Sequence, residues 1–149
     1  MFRHILVPID PNDEAIWRAA LEGAGRMCMA FGAKLSLVAV VPDVSTPLLA
    51  QYFPADHEDK LRQRALQTMK EKALPLLPAT IKPSLVVIDG TIWRQILETG
   101  RKLGCDLIML GSHQPEFADF LLGSNAEKIV SHAHCSVMVI RSEGETARG

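Results

Sequence analysis

The sequence predicts one α/β domain, built as a doubly wound, five-stranded parallel sheet with helices on both faces. Three observations support this prediction. Short apolar runs alternate along the chain with longer segments whose apolar residues recur every three or four positions. The short runs are apolar throughout, which is typical of parallel strands buried on both faces. The chain has 149 residues, the length of a single ordinary domain.

The first strand and the first helix lie at the start of the chain. The run HILVPI, residues 4–9, is short and rich in branched residues, and an Asp-Pro-Asn-Asp turn closes it. Apolar residues then recur at helical spacing from about Asn12 to Phe31. Gly32 stands where a glycine commonly ends a helix.

The second strand, KLSLVAVV, covers residues 34–41 and is stopped by Pro42. Residues 43–56 carry prolines and little periodicity, so we expect a long loop with room for one helical turn. Apolar residues spaced by four, with charges between them, then predict an amphipathic helix over about 57–74 that ends at Pro75.

The third strand, SLVVID, covers residues 84–89 and ends at Gly90. Thr91 is expected to cap a third helix, and Gly104 closes that helix. The run DLIML, residues 106–110, is the predicted fourth strand.

The end of the chain supplies one more helix and one more strand. A short helix with a face formed by Ala126, Ile129 and Ala133 precedes CSVMVIR, residues 135–141, which is the fifth strand. The domain is therefore expected to span residues 1–142, with the polar residues 143–149 as a flexible tail.

The composition excludes several classes of function. The formal net charge is -1 and the pI is about 6.5, so no broad binding to nucleic acid is expected. No apolar run approaches roughly 18 residues, so no membrane span is expected. Cys28, Cys105 and Cys135 lack CxxC spacing and are expected to pack in the core of a cytoplasmic protein.

Two Gly-Ser pairs fall where a doubly wound sheet binds its ligands, outside the carboxyl ends of the strands. Gly111 and Ser112 follow the fourth strand, and Gly123 and Ser124 open the fourth helix. Glycine lets backbone N–H groups approach an anion, and a helix N-terminus adds free donors and a positive dipole end. These two pairs are therefore a candidate phosphate site.

Each candidate residue also has a purely structural alternative. Ser124 and Glu127 match a capping box, which would use the serine hydroxyl within the helix. Asp10 ends the first strand, where a carboxylate can bind a ribose hydroxyl or Mg²⁺, but with Pro11 after it the same residue can cap the first helix. The local pattern leaves both alternatives open.

No standard nucleotide motif is present. The sequence has no GxxxxGK[ST] loop, and its Gly-x-Gly at residues 23–25 lies inside a predicted helix rather than after a strand. A flavin or dinucleotide carrier of this fold is therefore disfavoured, and any nucleotide must be bound by other residues.

Five segments, taken together, resemble the universal stress protein family. They are ILVPIDPNDEA, LSLVAVV, VIDGTIWRQILE, CDLIMLGSH and LLGSNAEKIVSHAHCSVMVIR, and they cover nearly the whole chain in the family's order. The resemblance implies a fold of the adenine-nucleotide alpha hydrolase-like type. One branch of the family binds ATP through Gly-x-x-Gly, a nine-residue spacer, and Gly-Ser or Gly-Thr.

This resemblance implies a role for individual residues. Gly123 and Ser124 would hold phosphates, Asp10 would lie near the ribose or the metal, and Val40 would face the adenine. The implied nucleotide-binding residues are Pro8, Ile9, Asp10, Val40, Gly111, Ser112, His113, Gln114, Gly123, Ser124 and Asn125. The sequence departs from the family pattern in two ways, because Gln114 replaces the second glycine and the spacer, residues 115–122, is one residue short.

The sequence thus predicts a stress-response protein that binds ATP or AMP together with Mg²⁺, which Asp10 would contact. No arginine finger and no water-activating group is evident, so fast turnover is not predicted, and slow hydrolysis or autophosphorylation is left open. The resemblance also implies a homodimer that pairs through the last strand, residues 135–141. The alternative is a dimeric interaction module of the same fold that works without a nucleotide.

Overall fold

The computed structural model describes residues 1–43, 46–54, 56–112 and 123–141. The strands are β1 (His4–Pro8), β2 (Lys34–Val41), β3 (Ser84–Asp89), β4 (Leu107–Ser112) and β5 (Ser136–Arg141). The helices are α1 (Glu14–Phe31), α2 (Pro47–Ala50), α3 (His57–Thr68), α4 (Ile92–Leu103) and α5 (Ser124–His132). A π-helical turn at Met69–Ala73 and a 3-10 turn at Leu74–Leu76 continue α3.

The strands form one sheet in the order β3-β2-β1-β4-β5, and every neighbouring pair is parallel. The chain therefore winds outward from β1 in one direction and from β4 in the other. This arrangement confirms the predicted doubly wound α/β fold. It also opens a crevice at the carboxyl ends of β1 and β4, because the segments after these two strands leave toward opposite faces.

Helices cover both faces of the sheet, as the continuous apolar strands predicted. On one face, α1 and α3 pack on strand residues such as Ile5 and Val7, and the buried Trp17 lies at the centre of this layer. On the other face, α4 and α5 pack on residues such as Leu6 and Ile108. Successive strand residues point to opposite faces, so each strand contributes to both cores.

Several element boundaries differ from the predicted ones. Where strand ends differ, most do so by a single residue, and three differences are larger. Helix α1 begins at Glu14 rather than near Asn12, because residues 10–13 form a turn before it. Strand β4 continues through Gly111 and Ser112, which pair with β5, so this Gly-Ser pair is part of the strand and does not follow it. Pro75 lies within the 3-10 turn, which tolerates its missing N–H, and the helical segment therefore ends after it.

Two of the three cysteines are buried as the sequence predicted, and Cys135 is only partly buried. Cys28 and Cys105 are buried, and none of the three is in a disulfide within the described residues. Burial raises the pKa of the Cys105 thiol to about 12, so this thiol is not a nucleophile at neutral pH. Within the ranges that the structure describes, no helix is both long and apolar enough to cross a membrane.

The amino edge of the sheet, where the strands begin, is closed by hydrogen bonds between its own residues. The Ser36 hydroxyl on β2 is fully buried and lies 2.7 Å from Nε2 of His4 and 2.6 Å from the Ser84 hydroxyl. The carboxylate of Asp106 accepts the backbone N–H groups of Arg3 and His4 at 2.9 and 3.0 Å. Partial burial raises the pKa of Asp106, but these N–H groups outweigh burial and leave it below its usual value.

Candidate functional site

A cavity of about 510 Å³ opens at the opposite edge of the sheet, over the carboxyl ends of β1, β2 and β4. This volume is within the range of small-molecule sites, about 300–1,000 Å³. The cavity brings together nine of the implied nucleotide-binding residues: Pro8, Ile9, Asp10, Val40, Gly111, Ser112, Gly123, Ser124 and Asn125. His113 and Gln114 lie outside the described residues, as does the shortened spacer.

Gly111 is required by the packing of the protein itself. A Cβ atom built on it would lie 1.5 Å from the backbone oxygen of Ile16 and 3.2 Å from Cα of Trp17. The first turn of α1 therefore rests directly on the end of β4. This contact explains why position 111 is glycine without any reference to a phosphate.

Gly123 differs from Gly111 in how closely other residues pack around it. A Cβ atom built there would meet no atom of the described residues within 4 Å, and the backbone angles, φ -60° and ψ 154°, are open to any residue. Neither packing nor backbone conformation in the described part of the chain thus calls for a glycine here. Among the described residues, the missing side chain instead leaves space at the start of α5, where Gly123 lines the cavity.

The capping box predicted as the structural alternative for Ser124 is wrong. Gly123 is the residue that precedes the helix, and its carbonyl accepts the N–H of Glu127 at 3.0 Å. Ser124 is therefore the first helical residue, where its hydroxyl cannot make the capping bond to the third N–H of the helix. Ser124 lines the cavity together with Gly123 and Asn125, and no side-chain cap bond is formed at this end of α5 among the described residues.

Asp10 is exposed and does not cap α1, so that structural alternative is also wrong. Its Oδ1 accepts the N–H of Asn12 at 2.8 Å, which closes a local turn, and Asp13 is the residue before the helix. The Trp17 indole N–H donates to the Asp10 carbonyl oxygen at 2.9 Å and so fixes this turn on α1. The carboxylate is thereby held at the cavity, with Oδ2 unpaired among the described residues.

The apolar part of the cavity lies over β1 and β2. Val40 on β2 and Ile9 after β1 form its floor, and Ile92 and Ile96 of α4 form one wall. Ile92 is 46% exposed although it is a large apolar residue. A flat apolar ligand would remove these side chains from water, which favours binding by roughly 25 cal/mol per Å² of apolar surface.

Helix α3 forms a further wall of the cavity, which was not predicted from the sequence. Its residues there are Leu61, Arg64 and Ala65. Leu61 and Ala65 were predicted to lie on the apolar stripe of this helix. Arg64, three residues after Leu61, borders the same stripe, and this spacing was the signal that could have identified it. Asp10 and Arg64 are the charged residues among the described lining of the cavity.

A preformed metal centre is not found in the part of the chain that the structure describes. No group of three or more His, Cys, Asp or Glu side chains there is arranged to hold a metal ion. Mg²⁺ commonly binds through one or two carboxylates together with the phosphates of a nucleotide, and a single carboxylate such as Asp10 fits that mode.

Comparison with known proteins gives a consistent result. The model of the universal stress protein family matches residues 1–141. Universal stress protein G of Shigella flexneri is 31% identical over 150 residues, and the match covers 95% of this chain and all of that protein.

Solved structures of the same family have the same fold. The universal stress protein UspA from Lactobacillus plantarum superposes with a TM-score of 0.74 at 26% identity, covering 93% of this chain and 97% of that one. A universal stress protein in complex with cAMP superposes with a TM-score of 0.62 at 18% identity, covering 95% and 98%. The second likeness shows the fold alone.

Proposed function

The chain belongs to the universal stress protein family, and we propose that it binds an adenine nucleotide, ATP or AMP, in the cavity at the carboxyl edge of its sheet. The observation that carries this proposal is the start of α5. There, Gly123 leaves open space and Ser124 is free of capping, in the same cavity as Asp10. The related structure with cAMP adds support, since its ligand is also an adenine nucleotide.

The phosphates fit the part of the cavity between β4 and α5. The first N–H groups of a helix have no partner within the helix, and its dipole is positive at this end. The backbone of Gly123 and Ser124 would donate to phosphate oxygens, and the hydroxyl of Ser124 would add one further bond. Gly123 allows this approach because it carries no Cβ between the backbone and the anion.

The nucleoside fits the part of the cavity over β1 and β2. The adenine would lie on the floor formed by Val40 and Ile9, beside the wall that holds Ile92, and the ribose hydroxyls would reach the carboxylate of Asp10. The same carboxylate could hold Mg²⁺ that is also bound by the phosphates. We propose the metal only in this role, as a partner of the nucleotide.

Binding is a better account of this cavity than fast catalysis. Its described lining has one carboxylate, Asp10, and one guanidinium, Arg64, and contains neither His nor Lys. The carboxylate is the proposed ligand of the ribose or metal, which leaves no second group there to activate a water molecule. Slow hydrolysis or autophosphorylation stays a prediction, as does a cytoplasmic location.

We also propose a homodimer that pairs through β5. This strand lies at a lateral edge of the sheet, and its residues from Val137 to Arg141 are only partly buried in the single chain. An exposed apolar edge readily pairs with another strand. Light scattering should give the mass of two chains at micromolar concentration, and the mass of one chain would reject the dimer.

The nucleotide proposal is tested by mass spectrometry of the ligand released from purified, undialysed protein. We expect ATP or AMP at close to one molecule per chain. Gly123→Val protein, purified in parallel from the same host, should carry none and so controls for adventitious nucleotide. Wild-type protein that carries no nucleotide and does not bind added ATP would leave the nucleotide-independent interaction module as the better account.

A further inference from the structure

Two arginines on α3, two positions apart, have different surroundings. The guanidinium of Arg62 contacts the carboxylate of Asp89 and lies 3.7 Å from that of Glu58. Arg64 lines the cavity, and no carboxylate among the described residues lies within ion-pairing distance of it. Arg62 is therefore paired within the protein, whereas Arg64 is available to a ligand.

The order of the strands decides which part of a nucleotide Arg64 can reach. Neighbouring strands lie about 4.8 Å apart, so β2 and β4, with β1 between them, are separated by about 10 Å. Helix α3, which carries Arg64, packs on β2 and β3, whereas Gly123 and Ser124 stand at the start of α5, the helix whose Ile129 packs in one cluster with Ile108 and Leu110 of β4. If the phosphates bind at the start of α5, the base therefore lies in the part of the cavity that α3 lines.

The chemistry around Arg64 fits a flat base better than an anion. Its neighbours on the same wall are Leu61 and Ala65, and Val41 and Pro42 follow at the end of β2. These apolar groups would desolvate a phosphate without replacing its hydrogen bonds. A guanidinium is planar, weakly hydrated and well suited to stacking on an aromatic face.

We propose that Arg64 covers the face of the bound nucleobase and is a base-recognising residue of this site. The inference rests on the proposed function, because it takes the phosphates to be bound at α5. This role differs from that of an arginine finger, because Arg64 would contact the base and not a transferred phosphate.

The test is isothermal titration of ATP, AMP and adenosine into wild type, Arg64→Ala and Arg64→Lys, with Arg26→Ala as a control on an exposed arginine outside the cavity. We expect Arg64→Ala to weaken all three ligands by the same factor, about two- to thirty-fold. Arg64→Lys should stay weakened although it keeps the charge, because an ammonium group is not planar. Arg26→Ala should bind as wild type does.

Two results would overturn the role of Arg64 while leaving the proposed function intact. One is wild-type affinity of Arg64→Ala for all three ligands. The other is a loss that is greatest for ATP, shrinks for AMP, vanishes for adenosine and is restored by lysine, which would identify a phosphate contact. A wild-type protein that binds none of the three would instead reject the proposed function, and the inference with it.

Discussion

The two edges of the sheet, formed by the same strands, are built in opposite ways. At the amino edge, polar groups bind one another: Ser36 lies between His4 and Ser84, and Asp106 accepts two backbone N–H groups. At the carboxyl edge, Ser124 and the first N–H groups of α5 are left out of the capping bonds that the sequence suggested. Arg64 there also lacks an ion-pair partner among the described residues.

This difference separates groups that hold the fold together from groups that the proposed ligand would bind. Hydrogen bonds within a protein contribute about 0.5–1.5 kcal/mol each, and polar groups without protein partners contribute little to folding. Substitutions at the amino edge should therefore change stability, and substitutions at the carboxyl edge should change affinity. The ion pair of Arg62 with Asp89, at the end of β3, is one exception at the carboxyl edge. Gly111 is another exception, because helix packing requires it.

The largest expected effect comes from Gly111. Gly111→Ala should destabilise the fold by about 3 kcal/mol or more, because its Cβ would overlap the Ile16 carbonyl oxygen and force α1 away from β4. The matched change Gly123→Ala adds a Cβ in open space and should cost no more than about 1 kcal/mol, the difference between glycine and alanine before a helix. Urea unfolding of both variants measures the two costs, and equal costs would remove the distinction between the glycines.

Ser124→Ala tests the carboxyl edge, where the nucleotide is proposed to bind. Since Ser124 does not cap α5, unfolding free energy should change by less than about 0.5 kcal/mol. Loss of one hydrogen bond to a charged phosphate should lower the affinity for Mg-ATP by about 1.5–3 kcal/mol, or about ten- to a hundred-fold. Ser131→Ala, an exposed serine on the same helix outside the cavity, is the control. A lower melting temperature with unchanged affinity would show that Ser124 stabilises the fold and does not contact the nucleotide.

Asp106→Asn tests the amino edge and should have a smaller effect than Gly111→Ala has on stability or Ser124→Ala has on affinity. We expect a loss of about 1–2 kcal/mol at pH 7, since an amide accepts the N–H groups of Arg3 and His4 less strongly than a carboxylate and the bonds are partly exposed. The pKa of Asp106 is lowered on folding, so its contribution is complete above the unfolded value of about 3.9 and is lost as pH falls through the folded value.

The stability of wild type and Asp106→Asn should accordingly converge below about pH 4. Asp59→Asn, on the exposed start of α3, controls for the loss of one negative charge. A constant difference between wild type and Asp106→Asn down to acid pH would show that Asp106 acts through packing and not through its charge.

Most of the fold could be predicted from the sequence because its signals are local. Strands β2 and β3 have the predicted bounds, since each is an apolar run closed by Pro42 or by Gly90. Gly32 and Gly104 adopt the left-handed conformation predicted for helix ends, with φ of 67° and 71°. The predicted site residues that the structure describes all line one cavity, because the carboxyl ends of parallel strands share one edge.

What the sequence could not predict depends on contacts between distant segments. The glycine at 111 looked like a phosphate-binding residue, and only the approach of α1, almost a hundred positions earlier, reveals its packing role. The capping motif at Asp10 failed because α1 starts only at Glu14, after a turn whose Asp10 carbonyl accepts the Trp17 indole N–H. The motif at Ser124 failed because α5 already starts at Ser124, one residue earlier than the capping box requires. Arg64 was missed because a charge beside an apolar stripe usually faces water.

The most direct test of the carboxyl edge as a nucleotide site is isothermal titration of Mg-ATP into nucleotide-free wild type and Gly123→Val, with thermal melts of both proteins. A Cβ at position 123 meets no atom of the described residues within 4 Å, but a branched side chain there would stand where the proposed site brings backbone close to phosphate. We predict saturable binding by wild type and none by Gly123→Val, with similar melting temperatures. No heat from wild type, or equal binding by the two proteins, would contradict the assignment of this edge to a nucleotide.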